Sequence, residues 1–309
     1  MRGFRFRILL VVAVSAASLF VLSSPGRRPT PPPHHARLVD VGGLTLRVVR
    51  GGRGPTVVLI HGYGESLISW RPVFDELSRH ADVVALDLPG FGVSSKPAGG
   101  YTADSLASVV FGLLDRLGVR SAVFVGHSLG GAVATAAAIR DPARVSGLVL
   151  VAPALATPSL LGSGGERGAQ AAEWRTLVAS RYEALRTRFG GIHDPAWLAE
   201  DSVQAAYDAY GDSAYLRALA SALAEFDFSF LTPQNAAALR PPTLVIWGAN
   251  DPLVPLGAAR GLVEAIPGAH LEVLARTWHR PHVERPREVG RLIAGFLRGL
   301  EPGEPPRAH

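Results

Sequence analysis

The sequence predicts an α/β domain, a mostly parallel sheet with helices on both faces, interrupted once by a helical insertion. Three observations carry that expectation. Short apolar runs of strand type alternate with helix-spaced segments from residue 38 to 151, the pattern of βαβ units. The alternation stops near Pro153 and resumes at Thr243, and the stretch between holds helix signals but no convincing strand. In the first half, Gly126-His127-Ser128-Leu129-Gly130 stands directly between a strand-type run and an alanine-rich, helix-favouring run.

A chain of 309 residues, 48% hydrophobic and 18% charged, is long and apolar enough for one such large domain. It has no cysteine, which excludes disulfides and thiolate chemistry. The net charge of +5 is carried by arginine, since Lys96 is the only lysine. The arginines form no stripe, so nucleic acid is not an expected partner.

From the N-terminus, Arg2, Arg5 and Arg7 precede an apolar-to-small run from Ile8 to Leu22. This reads as a signal peptide or membrane anchor over residues 1–24, and implies a membrane-anchored or exported protein. Residues 25–37 are a proline-rich linker, expected to be extended. The first part of the core spans 38–154. Leu38 to Val49 alternates around Gly42-Gly43 as a hairpin, Thr56–Ile60 and Asp82–Leu86 are strands, and Trp70 to Arg79 has helical spacing. Thr102 caps a helix that ends at Leu117 before Gly118. Ala122–Val125 and Val145–Val151 are further strands flanking the alanine-rich helix.

Residues 155–240 read as a helical cap, with Asp194-Pro195 and Asp212 as helix starts. The core resumes over 241–300 with strand Thr243–Trp247, a helix from Leu256 to Ile266, strand Leu271–Leu274 and a helix from Pro286 to Leu297. Counting the hairpin, the sheet has eight strands. Residues 301–309 are a polar tail, expected to be disordered.

Chemistry concentrates at the junction around Ser128. A strand turning at once into a helix, with glycines on either side of a serine, is the G-x-S-x-G nucleophile elbow. The sharp turn projects the hydroxyl clear of the sheet, and the helix that follows aims N–H groups at a developing oxyanion. A serine hydroxyl needs a base, and the base an orienting carboxylate. In an open parallel sheet these should lie past the carboxyl ends of later strands. Asp251 follows strand Thr243–Trp247 and His279 follows the last strand, in the chain order serine, aspartate, histidine. His282 competes with His279 for the role of base.

With HGYGES, DLPGFGVSS, GHSLGG, WGANDPLVP and WHRPHVERP in order, the chain resembles the cap-bearing α/β-hydrolases over roughly residues 38–300. The resemblance implies Ser128 as nucleophile, His279 as general base and then acid, and Asp251 as the carboxylate fixing its tautomer. It places the oxyanion hole at the backbone N–H groups of Tyr63 and Leu129. Trp278 stands where the family usually has a glycine, and is expected to narrow the site. His61, Trp174, Trp197 and Trp278 are the substrate-pocket candidates. The serine disfavours the epoxide-hydrolase and dehalogenase chemistries of the family, which use aspartate there. No cofactor and no metal are expected. The expected substrate is a medium-sized apolar carboxylic ester, with lipid-derived esters among the candidates. Carbon–carbon bond hydrolysis, acyl transfer, cofactor-free lyase or oxygenase chemistry and plain ligand binding are the alternatives on the same fold.

Overall fold

In a computed structural model, residues 36–155, 213–227 and 230–300 are described. The expected signal peptide or anchor at 1–24, nearly all of the linker and the tail at 301–309 lie outside them, as do Trp174, Trp197 and much of the expected cap.

The sheet has eight strands: β1 (Arg37–Val41), β2 (Leu44–Gly52), β3 (Thr56–Ile60), β4 (Asp82–Leu86), β5 (Ala122–His127), β6 (Val145–Val151), β7 (Thr243–Gly248) and β8 (His270–Leu274). Their spatial order is β1-β2-β4-β3-β5-β6-β7-β8. β2 pairs antiparallel with β1 and β4, and every other neighbouring pair is parallel. The mostly parallel eight-stranded sheet expected from the sequence is the one observed.

Period-two alternation within buried strands divides the core into two layers. Val58 and Ile60 of β3 and Phe124 of β5 face one layer, Val57, Leu59, Val123 and Val125 the other. The first layer is closed by helices α2 (Ala103–Arg116), α3 (Leu129–Arg140) and α6 (Leu256–Ala265). The second is closed by α1 (Arg71–Leu77) and α8 (Pro286–Leu300). α8 buries Val289, Ile293 and Leu297, spaced four apart, so one apolar stripe covers the sheet. Thr102 caps α2 as expected, its side chain accepting the Ser105 N–H at 3.2 Å.

Three short elements were not legible as helices: a 3-10 turn (Pro142–Arg144), α5 (Pro233–Ala237) and α7 (Pro281–Glu284). Each holds only a turn or so, too little for a periodic signature. The helix expected from Trp70 to Arg79 starts as a 3-10 turn at Leu67 and ends at Leu77. Of the expected cap, α4 (Ser213–Glu225) and α5 are described. α4 is tied to the core: Glu225 accepts the N–H groups of Gly100 and Tyr101 at 2.8 and 3.0 Å, and the Tyr63 hydroxyl donates to the Leu219 carbonyl at 2.9 Å.

The expectation of a membrane-anchored or exported protein is corrected. Among the described residues no helix is long and apolar enough to cross a membrane. The run from Ile8 to Leu22, on which that expectation rested, is also shorter than the roughly 20 residues that a helical span needs.

Strand register sets the site. Ile60 pairs with both Leu86 and Gly126, His127 with Val151, Val151 with Ile246, and Gly248 with Leu274. The carboxyl ends of six strands therefore finish level, and the loops after them share one rim.

Candidate active site

At Ser128 the chain leaves β5 with φ 49° and ψ −116°, a left-handed conformation costly for a residue with a Cβ. The surroundings hold it there. The Ser128 N–H donates to the Val151 carbonyl at 3.1 Å, and the Ser128 carbonyl accepts the N–H groups of Gly131 and Ala154, each at 2.9 Å. A Cβ on Gly126 would overlap the Gly130 carbonyl, and one on Gly130 would overlap that of Ile60, so the turn closes only with glycine at both places. Leu129 opens α3, and its N–H, in the first turn, has no intrahelical acceptor.

The Tyr63 loop packs on this elbow. A Cβ on Gly62 would lie 3.2 Å from the Ser128 Cβ and 2.7 Å from His127 Nδ1, so the backbone leading to Tyr63 passes within contact of the serine. His61, a pocket candidate, is fully buried with both ring nitrogens engaged: Nε2 accepts the Leu88 N–H at 3.0 Å, so Nδ1 carries the proton donated to the Gly62 carbonyl at 2.8 Å. Burial, opposed by the Asp87 carboxylate, holds its ring below its ordinary value, in keeping with that neutral tautomer. Its polar atoms brace the turn between β3 and β4.

Asp251 and His279 are brought together. His279 Nδ1 lies 2.7 Å from Asp251 Oδ2, with the carboxylate side chain wholly buried and the imidazole 15% exposed. The other oxygen, Oδ1, accepts the N–H groups of Leu253 and Val254 at 2.8 and 3.0 Å, which fixes the carboxylate plane. The two loops are zipped by main-chain bonds from Ala249 to Leu274 and from Asn250 to Thr277, both 2.9 Å. Nδ1 therefore donates to Asp251 and Nε2 keeps its lone pair.

Ser128 and His279 meet through a neighbour. His127, the residue before the serine, donates from Nε2 to the His279 carbonyl at 2.8 Å, and the two rings lie 5.0 Å apart. Among the described residues, no hydrogen bond joins the serine hydroxyl to the His279 ring. Such bonds are often long in unliganded sites and tighten when substrate closes the gap. The rival histidine, His282, is fully buried against Trp70 and His127, with ring centroids at 4.3 and 4.4 Å. It sits behind His279 rather than at the rim. Trp278 is half-buried beside His279, and its N–H is held by Glu284.

A family model described as "alpha/beta hydrolase fold" matches residues 55–286. The chain belongs to the α/β-hydrolase family. Among the relatives of this α/β-hydrolase is an uncharacterized hydrolase of Bacillus subtilis (strain 168), 29% identical over 79% of this chain and 90% of the relative. A 2-hydroxy-6-oxo-2,4-heptadienoate hydrolase of Pseudomonas putida (strain F1) is 30% identical over 84% of this chain and 95% of its own. A solved structure of a thermophilic esterase from Thermogutta terrifontis superposes with a TM-score of 0.71 at 25% identity, covering 87% of this chain and 100% of that one. Together they support an enzyme.

Three residues of this α/β-hydrolase site went unassigned from the sequence. Glu284 accepts the N–H groups of Trp278 and Arg280 at 2.9 and 3.0 Å and so grips the main chain on both sides of His279. Burial pushes its carboxyl up, offset in part by those two bonds. Its signal was an acid just past Pro281, reaching back to the N–H groups ahead of a helix as in a capping box. Buried Glu65 pairs with Arg280, whose side chain is 17% exposed, at 2.6 Å, and no local pattern announces the pair. Burial alone would raise the Glu65 carboxyl, but Arg280 and then His127 outweigh it and hold it well below the usual carboxylate range. Glu65, His127 and His282 also place one ligand atom each within 4.8 Å of one another, a grouping the sequence did not suggest. The same carboxylate already receives the Arg280 guanidinium, His127 Nδ1 and the Gly62 N–H.

Burial lowers the His279 imidazole below its ordinary value of 6.5, the Asp251 bond and charge pull it back up, and His127 pushes it further down. With His279 as a general base, which works unprotonated, activity would rise with pH through this lowered value. The acid limb of kcat/KM is expected to have its midpoint below 6.5, read from rates on an uncharged ester across pH 4 to 8. A midpoint above 6.5 would contradict the electrostatic reading.

Proposed function

We propose that the protein is a serine hydrolase that cleaves carboxylic esters through an acyl-enzyme, with Ser128 as nucleophile, His279 as base and acid, and Asp251 as orienting carboxylate. The observation that carries this is the 2.7 Å bond from His279 Nδ1 to buried Asp251, set on the same rim as the strained Ser128 turn. In this reading His279 Nε2 takes the Ser128 proton as Oγ attacks the ester carbonyl. The N–H groups of Leu129 and Tyr63 receive the oxyanion. Collapse of the tetrahedral intermediate releases the alcohol, which takes its proton from His279. Water, deprotonated by the same ring, then attacks the acyl-enzyme and frees the acid and Ser128.

The esterase among the solved neighbours supports ester chemistry. Carbon–carbon bond hydrolysis is the second reading, favoured by the 30% identity with the heptadienoate hydrolase. The helical cap proposed for residues 155–240 would supply apolar surface to the acyl group.

A direct competition separates the readings. Purified protein is given a p-nitrophenyl ester series from acetyl to dodecanoyl and, in parallel, a 2-hydroxy-6-oxo-dienoate. The ester reading expects kcat/KM on the best ester to exceed that on the dienoate by at least about a hundredfold, the scale that a well-matched pocket supplies. The reverse ranking replaces it by the carbon–carbon reading.

A further inference from the structure

We propose that His127, locked by Glu65 and Arg280, is a positioning residue for His279: a buried ring that ties the base's main chain to the strand bearing the nucleophile. This rests on the serine-hydrolase reading above.

His127 has both ring nitrogens within hydrogen-bond distance of a partner. Nδ1 lies 3.1 Å from Glu65 Oε2, and Nε2 lies 2.8 Å from the His279 carbonyl oxygen. Both partners accept and neither donates, so bonding to both requires an N–H at each nitrogen, which makes the ring an imidazolium. Its counter-charge is present. Glu65 is fully buried, accepts the Gly62 N–H at 3.1 Å and pairs with Arg280 at 2.6 Å, which leaves a carboxylate between two cations. Such a charged hydrogen bond is stronger than a neutral one and fixes the ring plane.

Three parts of the site meet on this ring. His127 is continuous with Ser128, the Gly62 backbone of the Tyr63 loop packs against Nδ1, and the His279 loop hangs from Nε2. The His279 carbonyl is thereby held from the nucleophile's side, while Glu284 holds the N–H groups on either flank and Asp251 holds the ring. The charged and titratable groups facing His127 are Glu65 from the β3 loop, Arg280 and His279 from the loop after β8, and His282 from α7. Asp251 reaches His279 from the far side, after β7. A positive ring 5.0 Å from His279 discourages a second proton there, so the clamp also keeps the base ready to accept one.

Two amides dissect the ring. In His127→Asn the side-chain N–H reaches only the near partner, Glu65; in His127→Gln it reaches the far partner, the His279 carbonyl. Both are purified as full chains and assayed on p-nitrophenyl butyrate for kcat, KM and the pH profile. His127→Asn is expected to lose roughly fivefold in kcat, the worth of one net hydrogen bond, with KM unchanged. His127→Gln should retain most of kcat. Both lose the cation, so the acid limb of kcat/KM should move to higher pH in each. Equal kcat in the two variants, or acid limbs unmoved from wild type, overturns the proposal.

If neither variant folds, imidazole nitrogen NMR of the wild-type protein at its pH of full activity decides. The proposal requires one buried ring with both nitrogens protonated, and finding every buried ring with a single N–H contradicts it. Fluorophosphonate labelling of wild-type Ser128 keeps the two readings apart. No labelling defeats the serine-hydrolase reading and this one with it, whereas labelling together with unmoved acid limbs defeats only the role of His127.

Discussion

Replacing Ser128 by alanine is expected to lower kcat on the best ester by roughly 10⁴- to 10⁶-fold, the scale seen when a triad nucleophile is removed. The expectation follows from geometry. Alanine differs only by the hydroxyl, and Ser128 Oγ makes no hydrogen bond among the described residues, so the fold should not depend on it. The strained turn is held instead by the backbone bonds to Val151, Gly131 and Ala154, which alanine keeps. The melting temperature should therefore stay near that of the wild type while turnover falls. Residual activity within tenfold of wild type would mean that the chemistry runs elsewhere.

Asp251→Asn is expected to cost roughly 10³- to 10⁴-fold in kcat with little change in KM or stability. The two oxygens of Asp251 do different work. Oδ1 accepts two backbone N–H groups, and Oδ2 accepts the His279 Nδ1 proton. An asparagine must turn its oxygen to the backbone pair, which leaves its NH₂ facing Nδ1. That forces the imidazole into the tautomer with the proton on Nε2, the nitrogen that has to receive one. Kinetics together with a melting curve check this: a fall in kcat with an intact melting temperature is the expected pair, and unchanged kcat would show that Asp251 does not orient the base. Asp251→Ala is the poorer test, because it also strips the loop of its two N–H acceptors.

The strands, the long helices and the serine, aspartate and histidine were legible because each has a local signature. Strand runs such as Thr56–Ile60 and Val145–Val151 were bounded by Gly, Pro and polar residues and stand as read. Asp251 and His279 could be picked because a parallel sheet brings the carboxyl ends of its strands to one rim, so position after a strand says where a side chain goes. What escaped was long-range. Glu65 and Arg280 are far apart in sequence and become partners only when the β3 loop packs under the loop after β8, which no periodicity encodes. His282, an open rival for the base, is seen to be buried only once Trp70 and His127 close over it. The expectation of membrane anchoring or export is corrected on a different ground: it rests on the composition of the leader, and among the described residues no helix is long and apolar enough to cross a membrane.

The central claim is that Ser128 is made nucleophilic by His279. Intact-mass measurement after treatment with a fluorophosphonate, followed by peptide mapping, tests it most directly. The account predicts one adduct per chain, on Ser128, formed by the wild-type protein and slowed by orders of magnitude in His279→Ala. An unmodified protein, or an adduct that forms as fast without the imidazole, would contradict it.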